Sequence, residues 1–414
     1  MKTKFSYKKI FVLGLGFGVI SLTWAIYNAY VPLILKALME GASNINTKVG
    51  VIMTLDNIAA ITLIPFVGAL SDKTWTKYGR RMPFLMVGIP IAALFFAAIP
   101  YIDFSLWTLI PAIVIMNIAM AAFRGPTIAL MPDLTPSPYR SKANGIVNFM
   151  GGLGSIIFYG VFTQLFTESN GLIYTDFPVA AVIMVIVLVV LMKTVREPRE
   201  EFVQSDKKAP GIIQSLITVF KEKEHSTLLL LGAIFFWFIG WNGVETYFTI
   251  YGTEVWGLDE NVAANYLTFF SLAFLAMAIP SGFLATYLGR KKTIIMGVLG
   301  MGIMLSVAAM INVPMPWAPI LLGCGGIFWA LVNINSFPMV ADMAPAARLG
   351  LYTGLYYFAS QFAAILSPPA FGFAMDIVSN KAMFPMAAAA YVMALILVLG
   401  VRRGEASNHQ KRAS

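Results

Sequence analysis

Residues 71–84, "SDKTWTKYGRRMPF", lie between two long apolar runs and carry five charged side chains: Asp72, Lys73, Lys77, Arg80 and Arg81. Such a dense polar segment is unusual here, because 12% of the 414 residues are charged and 58% are hydrophobic. This composition is far from that of soluble domains. A membrane-spanning helix needs about 20 mostly apolar residues, and the chain contains many such runs. The sequence therefore predicts a polytopic membrane protein, with residues 71–84 in a turn between two spans.

Hydropathy predicts an all-α fold with twelve transmembrane helices. The expected spans are 10–38, 49–70, 83–101, 106–130, 143–166, 177–195, 226–251, 261–286, 292–312, 316–341, 350–375 and 382–401. The first apolar run is too long for the core of a cleaved signal peptide, so we interpret it as the first span.

The composition argues against an enzyme or a resident cofactor. Cys324 is the single cysteine, and the two histidines, His225 and His409, sit in polar segments. A disulfide framework, a cysteine or histidine metal site and a catalytic triad are therefore not expected. We expect no cofactor and no bound metal, with H+ as the coupling ion.

The basic residues indicate the orientation of the spans. If the N-terminus is cytoplasmic, 25 of the 29 Lys and Arg residues fall in cytoplasmic segments, three fall outside and Arg124 falls within a span. This asymmetry follows the positive-inside rule. We expect both termini to be cytoplasmic, in a plasma (bacterial inner) membrane. The net charge of +9 is then a topology signal, and no nucleic-acid partner is expected.

The turn at 71–84 has a copy in the second half of the chain. "YGRR" at 78–81 returns as "LGRK" at 288–291, and "MPDLTPSPYRSKANG" at 131–145 returns as "VADMAPAARLGLYTG" at 340–354. The two displacements are nearly equal and span about half the chain. They predict two six-helix bundles in parallel register.

The expected domains are residues 1–195 for the N-terminal bundle and 226–414 for the C-terminal bundle. Residues 196–225 form a charged cytoplasmic linker between them. Within it, "PGIIQSLITVF" has the apolar spacing of a short amphipathic helix at the membrane surface. A disordered linker is the alternative for its flanks.

Three charged residues lie clearly inside the predicted spans, more than a helical turn from their ends: Asp56, Arg124 and Glu245. Each costs roughly 2.5–3.5 kcal/mol at mid-membrane unless it faces protein or water, so such residues usually mark a functional site. We predict that all three take part in proton coupling, with Asp56 as the carboxylate that takes up and releases the proton. A permanent Asp56–Arg124 ion pair that fixes helix packing is the alternative. Glu245 lies near the outer end of its span and could instead reach water.

Polar and aromatic side chains recur on faces of the predicted spans. Amides donate and accept hydrogen bonds, and aromatic rings can cover the apolar face of a sugar. The alternative is interhelical hydrogen bonding and interfacial aromatic packing. As a set they favour a polar, uncharged ligand, and the predicted substrate-binding residues are Trp24, Tyr27, Asn28, Asn57, Asn117, Arg124, Asn148, Trp241, Asn242, Asn333, Asn335, Tyr357 and Gln361.

The segment "GALSDKTWTKYGRRMP", which begins at Gly68, resembles the signature between helices 2 and 3 of the major facilitator superfamily. Its length and the Pro after the basic residues resemble the sugar branches of that family. These are the glycoside–pentoside–hexuronide cation symporters and the plant-type sucrose/proton symporters. "FRGPTIALMPDL", residues 123–134, is similar to a pattern at the end of their fourth helix.

The resemblance implies a two-bundle transporter with alternating access and a disaccharide as the substrate class. It also implies a cytoplasmic gate made by the signature residues Asp72, Arg80, Arg81, Asp133, Arg140, Arg290, Asp342 and Arg348. Sodium-coupled members of the melibiose type have two aspartates, four residues apart, on helix 2. The matching positions here, near Ala60 and Ile64, are apolar, which favours protons over sodium.

The leading hypothesis is therefore a proton symporter that imports a disaccharide or glucoside of the maltose or sucrose type. A proton-coupled exporter of drugs or metabolites and a sodium-coupled sugar symporter are the alternatives. The expected partners are a small sugar and the lipid bilayer, and the expected oligomeric state is a monomer.

Overall fold

The structure is a computed structural model that describes residues 6–102, 105–135, 140–165, 175–197, 225–344 and 349–404. Its longer helices are α1 Tyr7–Leu38, α2 Ile45–Met53, α3 Leu55–Lys73, α4 Met82–Ala98, α5 Leu106–Leu134, α6 Arg140–Ile156, α7 Asp176–Thr194, α8 Ser226–Glu254, α9 Glu260–Leu288, α10 Arg290–Ala309, α11 Ala318–Met343, α12 Leu349–Ile377 and α13 Met383–Gly400. Together they form twelve segments long and apolar enough to cross a membrane. The all-α prediction with twelve spans is confirmed, and the ends agree to within about one helical turn.

Two of the twelve segments, the second and the fifth, depart from regular α-helix within their length, which hydropathy could not show. The second is divided at Thr54 into α2 and α3, and the helical dihedral angles of Thr54 keep the two nearly continuous. The fifth continues from α6 into a π-helical stretch, Ile157–Phe162, and then one turn of α-helix. The Tyr159 carbonyl in this stretch accepts a hydrogen bond from Asn265 Nδ2 at 2.9 Å. Mean hydropathy follows composition and carries no information about hydrogen-bond register.

The described residues divide into two compact units. The first contains those within Met1–Ile45, Val51–Asp206 and Glu260–Thr268, and the second those within Asn46–Gly50, Lys207–Asp259 and Phe269–Ser414. In the first unit α1 packs on α6, α4 on α5 and α7, and α3 on α5. In the second, α8 packs on α12 and α13, and α10 on α11 and α13. The domain boundaries 1–195 and 226–414 stay a prediction.

Glycine permits the closest helix contact in the first unit. Gly18 of α1 faces Gly154 of α6, and a Cβ at Gly154 would collide with the Gly18 carbonyl. Small residues at such positions let two helix backbones approach closely, which is common where helices associate within a membrane. The predicted linker, 196–225, lies mostly outside the described residues, and the amphipathic helix predicted in it lies entirely outside them.

Candidate functional site

The turn between α3 and α4 is closed by two backbone hydrogen bonds. Thr76 N donates to Gly79 O at 3.0 Å, and Gly79 N donates to Thr76 O at 3.1 Å. Gly79 has a φ of 109°, in the region that favours glycine. A Cβ at this position would also collide with the carboxylate of Glu197. Both the backbone conformation and the close approach therefore require glycine.

Glu197 contacts this turn and is not among the predicted gate residues. Its side chain is 2% exposed. The carboxylate accepts hydrogen bonds from the backbone N–H groups of Arg80, Arg81 and Met82 at 3.0, 2.9 and 3.2 Å. Since α4 begins at Met82, Glu197 satisfies N–H groups at the helix start and places a negative charge at the positive end of the helix dipole.

The arginine side chains that follow Gly79 share one carboxylate. Arg80 Nη2 donates to Asp133 Oδ1 at 2.5 Å, and Arg81 Nε donates to Asp133 Oδ2 at 3.0 Å. Arg81 also pairs with Asp72 at 2.5 Å. The Asp133 side chain is 14% exposed, whereas that of Asp72 is 57% exposed. The structure thus brings together four of the predicted gate residues.

The copy of this turn in the second unit is simpler. Gly289 has a φ of 96°, and it is followed by Arg290, which begins α10. The Arg290 guanidinium pairs with Asp342 and donates to Pro338 O at 2.7 Å. The two paired side chains are 25% and 31% exposed. Of the other predicted gate residues, Arg348 and the side chain of Arg140 lie outside the described part of the chain.

Asp56 and Arg124 lie in the first unit and interact electrostatically. Asp56 is in the first turn of α3, directly after the interruption at Thr54, and it accepts a hydrogen bond from Asn57 Nδ2 at 2.8 Å. Asp56 also interacts electrostatically with the Tyr27 hydroxyl. A carboxylate at a helix start is stabilised by the helix dipole, and a nearby guanidinium stabilises it further.

Beside this pair lies a cluster of buried polar atoms, which we call the polar cluster: Trp24, Tyr27 and Asn117. Tyr27 is fully buried and Asn117 is 2% exposed. The rings of Trp24 and Tyr27 meet edge to face at 5.3 Å. Among the described residues, Trp24 Nε1 is buried with no hydrogen-bond partner, and the buried Tyr27 hydroxyl and Asn117 amide have only each other within reach, without a well-formed hydrogen bond. Buried polar groups are normally satisfied, so these atoms point to a ligand or to water.

The second unit contains a stack of aromatic rings. Trp241 of α8 stacks on Phe270 of α9 at 4.4 Å and on Trp329 of α11 at 5.0 Å. Of these three rings, Trp241 is a predicted substrate-binding residue, and Phe270 and Trp329 are not. A single aromatic residue in an apolar helix has no distinguishing signal, because the stack exists through the packing of three different helices.

Several predicted binding residues are engaged within their own helices or lie at the surface. Asn242 Nδ2 donates to Phe238 O at 2.7 Å, and Asn335 Nδ2 donates to Leu331 O at 2.9 Å. Both amides therefore have a structural partner. Asn148 on α6 is exposed.

Tyr357 of α12 is a predicted binding residue, and its neighbour Tyr356 is the more buried of the two. Tyr357 is 57% exposed, whereas its neighbour Tyr356 is 8% exposed and its hydroxyl lies 3.2 Å from Ser336 Oγ. The remaining predicted residues are half-buried: Asn28, Glu245, Asn333 and Gln361. Within the described ranges, no group of three or more His, Cys, Asp or Glu residues could hold a metal ion.

The chain belongs to the Major Facilitator Superfamily, whose family model matches residues 13–267 and 253–414. It is therefore a transporter and an integral membrane protein, and not an enzyme.

The chain is similar in sequence to two proteins of named function and in structure to a third. The chain is 26% identical over 401 residues to the tetracycline resistance protein, class E, of Escherichia coli, which covers 94% of this chain and 92% of that protein. It is 32% identical over 121 residues to the sucrose transport protein SUC3 of Arabidopsis thaliana, across 24% of this chain and 20% of that protein. The crystal structure of a D-xylose-proton symporter superposes with a TM-score of 0.71 at 15% identity, over 94% of this chain and 96% of that one. This last likeness shows the fold alone.

Proposed function

We propose that this transporter imports a sugar, of the disaccharide or glucoside class, by proton symport with alternating access. The observation that carries the proposal is the polar cluster beside Asp56 and Arg124. It places a buried indole N–H without a partner, together with a phenol and an amide that interact only weakly with each other, next to a carboxylate–guanidinium pair within one unit. A sugar hydroxyl both donates and accepts hydrogen bonds, so it complements an Asn amide, an indole N–H and a phenol better than an ion does.

The aromatic stack supports the same substrate class. Trp241 is half-buried, and its ring lies with those of Phe270 and Trp329 in a layered arrangement. The layer holds the half-buried Trp241 ring in a fixed orientation, since Phe270 and Trp329 are themselves buried, 6% and 5% exposed. A pyranose ring has an apolar face as well as hydroxyl groups, so it can contact an aromatic ring while its hydroxyls bind amides.

The coupling step uses Asp56 and Arg124. A proton that binds a carboxylate oxygen of Asp56 neutralises it, and the attraction to Arg124 weakens. Arg124 can then donate its N–H groups to substrate hydroxyls, so proton and sugar bind together. Release of the proton restores the Asp56–Arg124 attraction and withdraws Arg124 from the sugar. A lone carboxylate suits this exchange, whereas sodium requires several oxygen ligands.

We assign the turns at Gly79 and Gly289 to the cytoplasmic side, with both termini cytoplasmic and the protein in the plasma membrane. The basic residues at these turns support this orientation. In this arrangement the Asp72, Arg80, Arg81 and Asp133 network is part of a cytoplasmic gate, as is the Arg290–Asp342 pair.

The test is uptake of radiolabelled maltose, sucrose and other glycosides into proteoliposomes under an imposed pH or sodium gradient. We expect accumulation with the pH gradient and none with the sodium gradient. Asp56→Asn should abolish proton-driven accumulation, because the amide carries no titratable proton, while sugar counterflow remains. Counterflow is the internal control for folding and binding. Absence of accumulation of every sugar would refute the proposal, and unchanged accumulation by Asp56→Asn would favour the structural ion pair.

A proton-coupled exporter is the second candidate. The observation that favours it is the 26% identity with the tetracycline resistance protein across nearly the whole chain. The same proteoliposomes decide between the two. Proton-driven extrusion of tetracycline, without accumulation of any sugar, would establish the exporter and set aside the importer.

A further inference from the structure

A buried acidic residue, Asp176, lies apart from the polar cluster and has no role in the coupling step. It begins α7, and it is 1% exposed. Neither carboxyl oxygen receives a hydrogen bond of normal distance and angle from the described residues, although the Tyr30 hydroxyl is close enough to interact with the carboxyl. The carboxyl therefore accepts none of the free N–H groups at the start of its own helix, where an acidic side chain is usually bound.

The groups around Asp176 come from several elements of the first unit. Tyr30 of α1 faces Asp176 with its hydroxyl, while Tyr159 and Glu260 act electrostatically on Tyr30. Apolar rings complete the surroundings: Phe177 lies 6.3 Å from the Tyr30 ring and 4.8 Å from Phe96, which α4 contributes. The titratable groups that act on Tyr30 are therefore the phenol of Tyr159 and the carboxyls of Asp176 and Glu260.

The Tyr30 hydroxyl has a single hydrogen to donate, and it donates that hydrogen to Asn261 Oδ1 at 2.6 Å. Asn261 lies in the first turns of α9, and it is 6% exposed. The bond thus holds the beginning of α9 against α1. Asp176 and Asn261 compete for one proton donor, and in this structure Asn261 has it.

An ionised carboxylate removed from water without a cation or a hydrogen bond costs several kcal/mol. While Asp176 is enclosed and the Tyr30 hydrogen is engaged by Asn261, the carboxyl carries a proton. Loss of that proton creates a strong acceptor beside Tyr30. The Tyr30 O–H then turns from Asn261 to the carboxylate, and α9 loses its bond to α1.

We propose that Asp176 is a second proton-binding residue, and that its protonation controls the attachment of α9 to α1 through the Tyr30–Asn261 hydrogen bond. The proton comes from water and binds a carboxyl oxygen of Asp176. The Tyr30 hydrogen changes its acceptor, and no covalent bond other than those to exchangeable hydrogens forms or breaks. This site is independent of the transported substrate and of Asp56.

Cysteine alkylation can measure the attachment of α9. In a Cys324→Ala background, Ala264→Cys places a thiol at a fully buried position in the first turns of α9. Asp259→Cys, at an exposed position just before α9, serves as the reference for the pH dependence of the thiol itself. The measurement is the ratio of the two alkylation rates with a water-soluble maleimide, on the purified full chain, between about pH 5.5 and 8.5.

With Asp176 intact, the ratio should rise with pH, by up to about tenfold per pH unit since one proton is released on opening. Asp176→Asn should keep the ratio low and independent of pH, because the amide resembles the protonated carboxyl. Tyr30→Phe should raise the ratio at every pH, because the bond to Asn261 is lost while the ring remains.

A ratio that does not change with pH when Asp176 is present would overturn the proposal, as would an unchanged slope in Asp176→Asn. If Asp176→Asn does not fold, Tyr30→Phe still decides, since a ratio equal to that of the parent at all pH values contradicts the switch. The assay needs no substrate and no gradient, so its failure is separate from a failure of the transport proposal.

Discussion

The two turns that contain the repeated motif have the same frame and different surroundings. Each has a glycine with positive φ, Gly79 or Gly289, followed by an arginine. In each, that arginine pairs with an aspartate near the end of a helix, Asp133 of α5 or Asp342 of α11. This shared frame explains why "YGRR" and "LGRK" recur at half the chain length.

The first turn lies in a network with three carboxylates, whereas the described contacts of the second centre on the Arg290–Asp342 pair and the Arg290 hydrogen bond to Pro338 O. Asp133 receives both Arg80 and Arg81, and the buried Glu197 receives three backbone N–H groups. The Arg290–Asp342 pair is 25% and 31% exposed. Exposed ion pairs contribute about 0–1 kcal/mol, whereas buried networks resist the removal of a member. We therefore expect the contacts of the first turn to contribute more to the free energy of unfolding, and those of the second turn to break more easily.

Removal of Glu197 should have the largest effect on this difference. Glu197→Ala leaves three backbone N–H groups at the start of α4 without their acceptor, and we expect a loss of about 3–5 kcal/mol in the free energy of unfolding. Thermal unfolding in detergent measures it, and Glu197→Gln, which keeps the shape and one acceptor, is the matched control. If Glu197→Ala and the parent protein unfold at the same temperature, the turn does not depend on the hydrogen bonds of the Glu197 carboxylate.

The two glycines give a matched pair of substitutions. Gly289→Ala should cost about 1–3 kcal/mol, because a φ of 96° with a ψ of 149° is a conformation that other residues rarely adopt. Gly79→Ala should cost more, because its Cβ would also collide with Glu197. The same unfolding measurement ranks them, and the double variant Gly79→Ala with Glu197→Ala should recover part of the added cost. Equal losses from the two single variants would mean that Glu197 yields without a penalty.

The two aspartates should show smaller effects than Glu197 and the clearest contrast between the turns. Asp133→Asn disrupts a carboxylate that binds two guanidiniums, and we expect a loss of roughly 2 kcal/mol. Asp342→Asn disrupts one exposed pair, and the loss should stay below about 1 kcal/mol. Salt should reduce the effect of Asp342→Asn more than that of Asp133→Asn. A larger loss of stability for Asp342→Asn than for Asp133→Asn would mean that the second turn is the more strongly stabilised of the two.

The sequence was sufficient for the spans, which rest on apolar length. The grouping of Asp72, Arg80 and Arg81 with Asp133, and of Arg290 with Asp342, came from the resemblance to the family signature, and the structure pairs these residues. Glu197 was missed because its partners lie more than 100 residues away, at Arg80 to Met82. Within "REPREE" it resembles any charge of a solvated linker. Its signal was its place directly after the sixth span, where its side chain can still fold back toward the helix ends.

The sequence identified the polar residues within the spans by their type, but it did not show which groups they contact. Trp24, Tyr27 and Asn117 form the polar cluster, but Asn242 and Asn335 are bound to their own helices. An amide in an apolar helix has the same local pattern in both cases. Whether it faces a cavity or a carbonyl four residues earlier depends on the rotamer and on the neighbouring helix, which a single sequence does not encode locally.

The π-helical stretch Ile157–Phe162 affects how relatives of this chain should be aligned. Such a stretch corresponds to one residue inserted into an α-helix. A relative with one residue fewer here would have a regular helix of nearly the same length. Every later side chain, starting with Thr163, would turn by about 100° relative to Tyr159. Asn265 Nδ2 now lies between the Tyr159 carbonyl and Thr163 Oγ1, at 2.9 and 3.3 Å, and it would meet a different pair. A gap in such an alignment therefore belongs inside the fifth span and not in the loop that follows it.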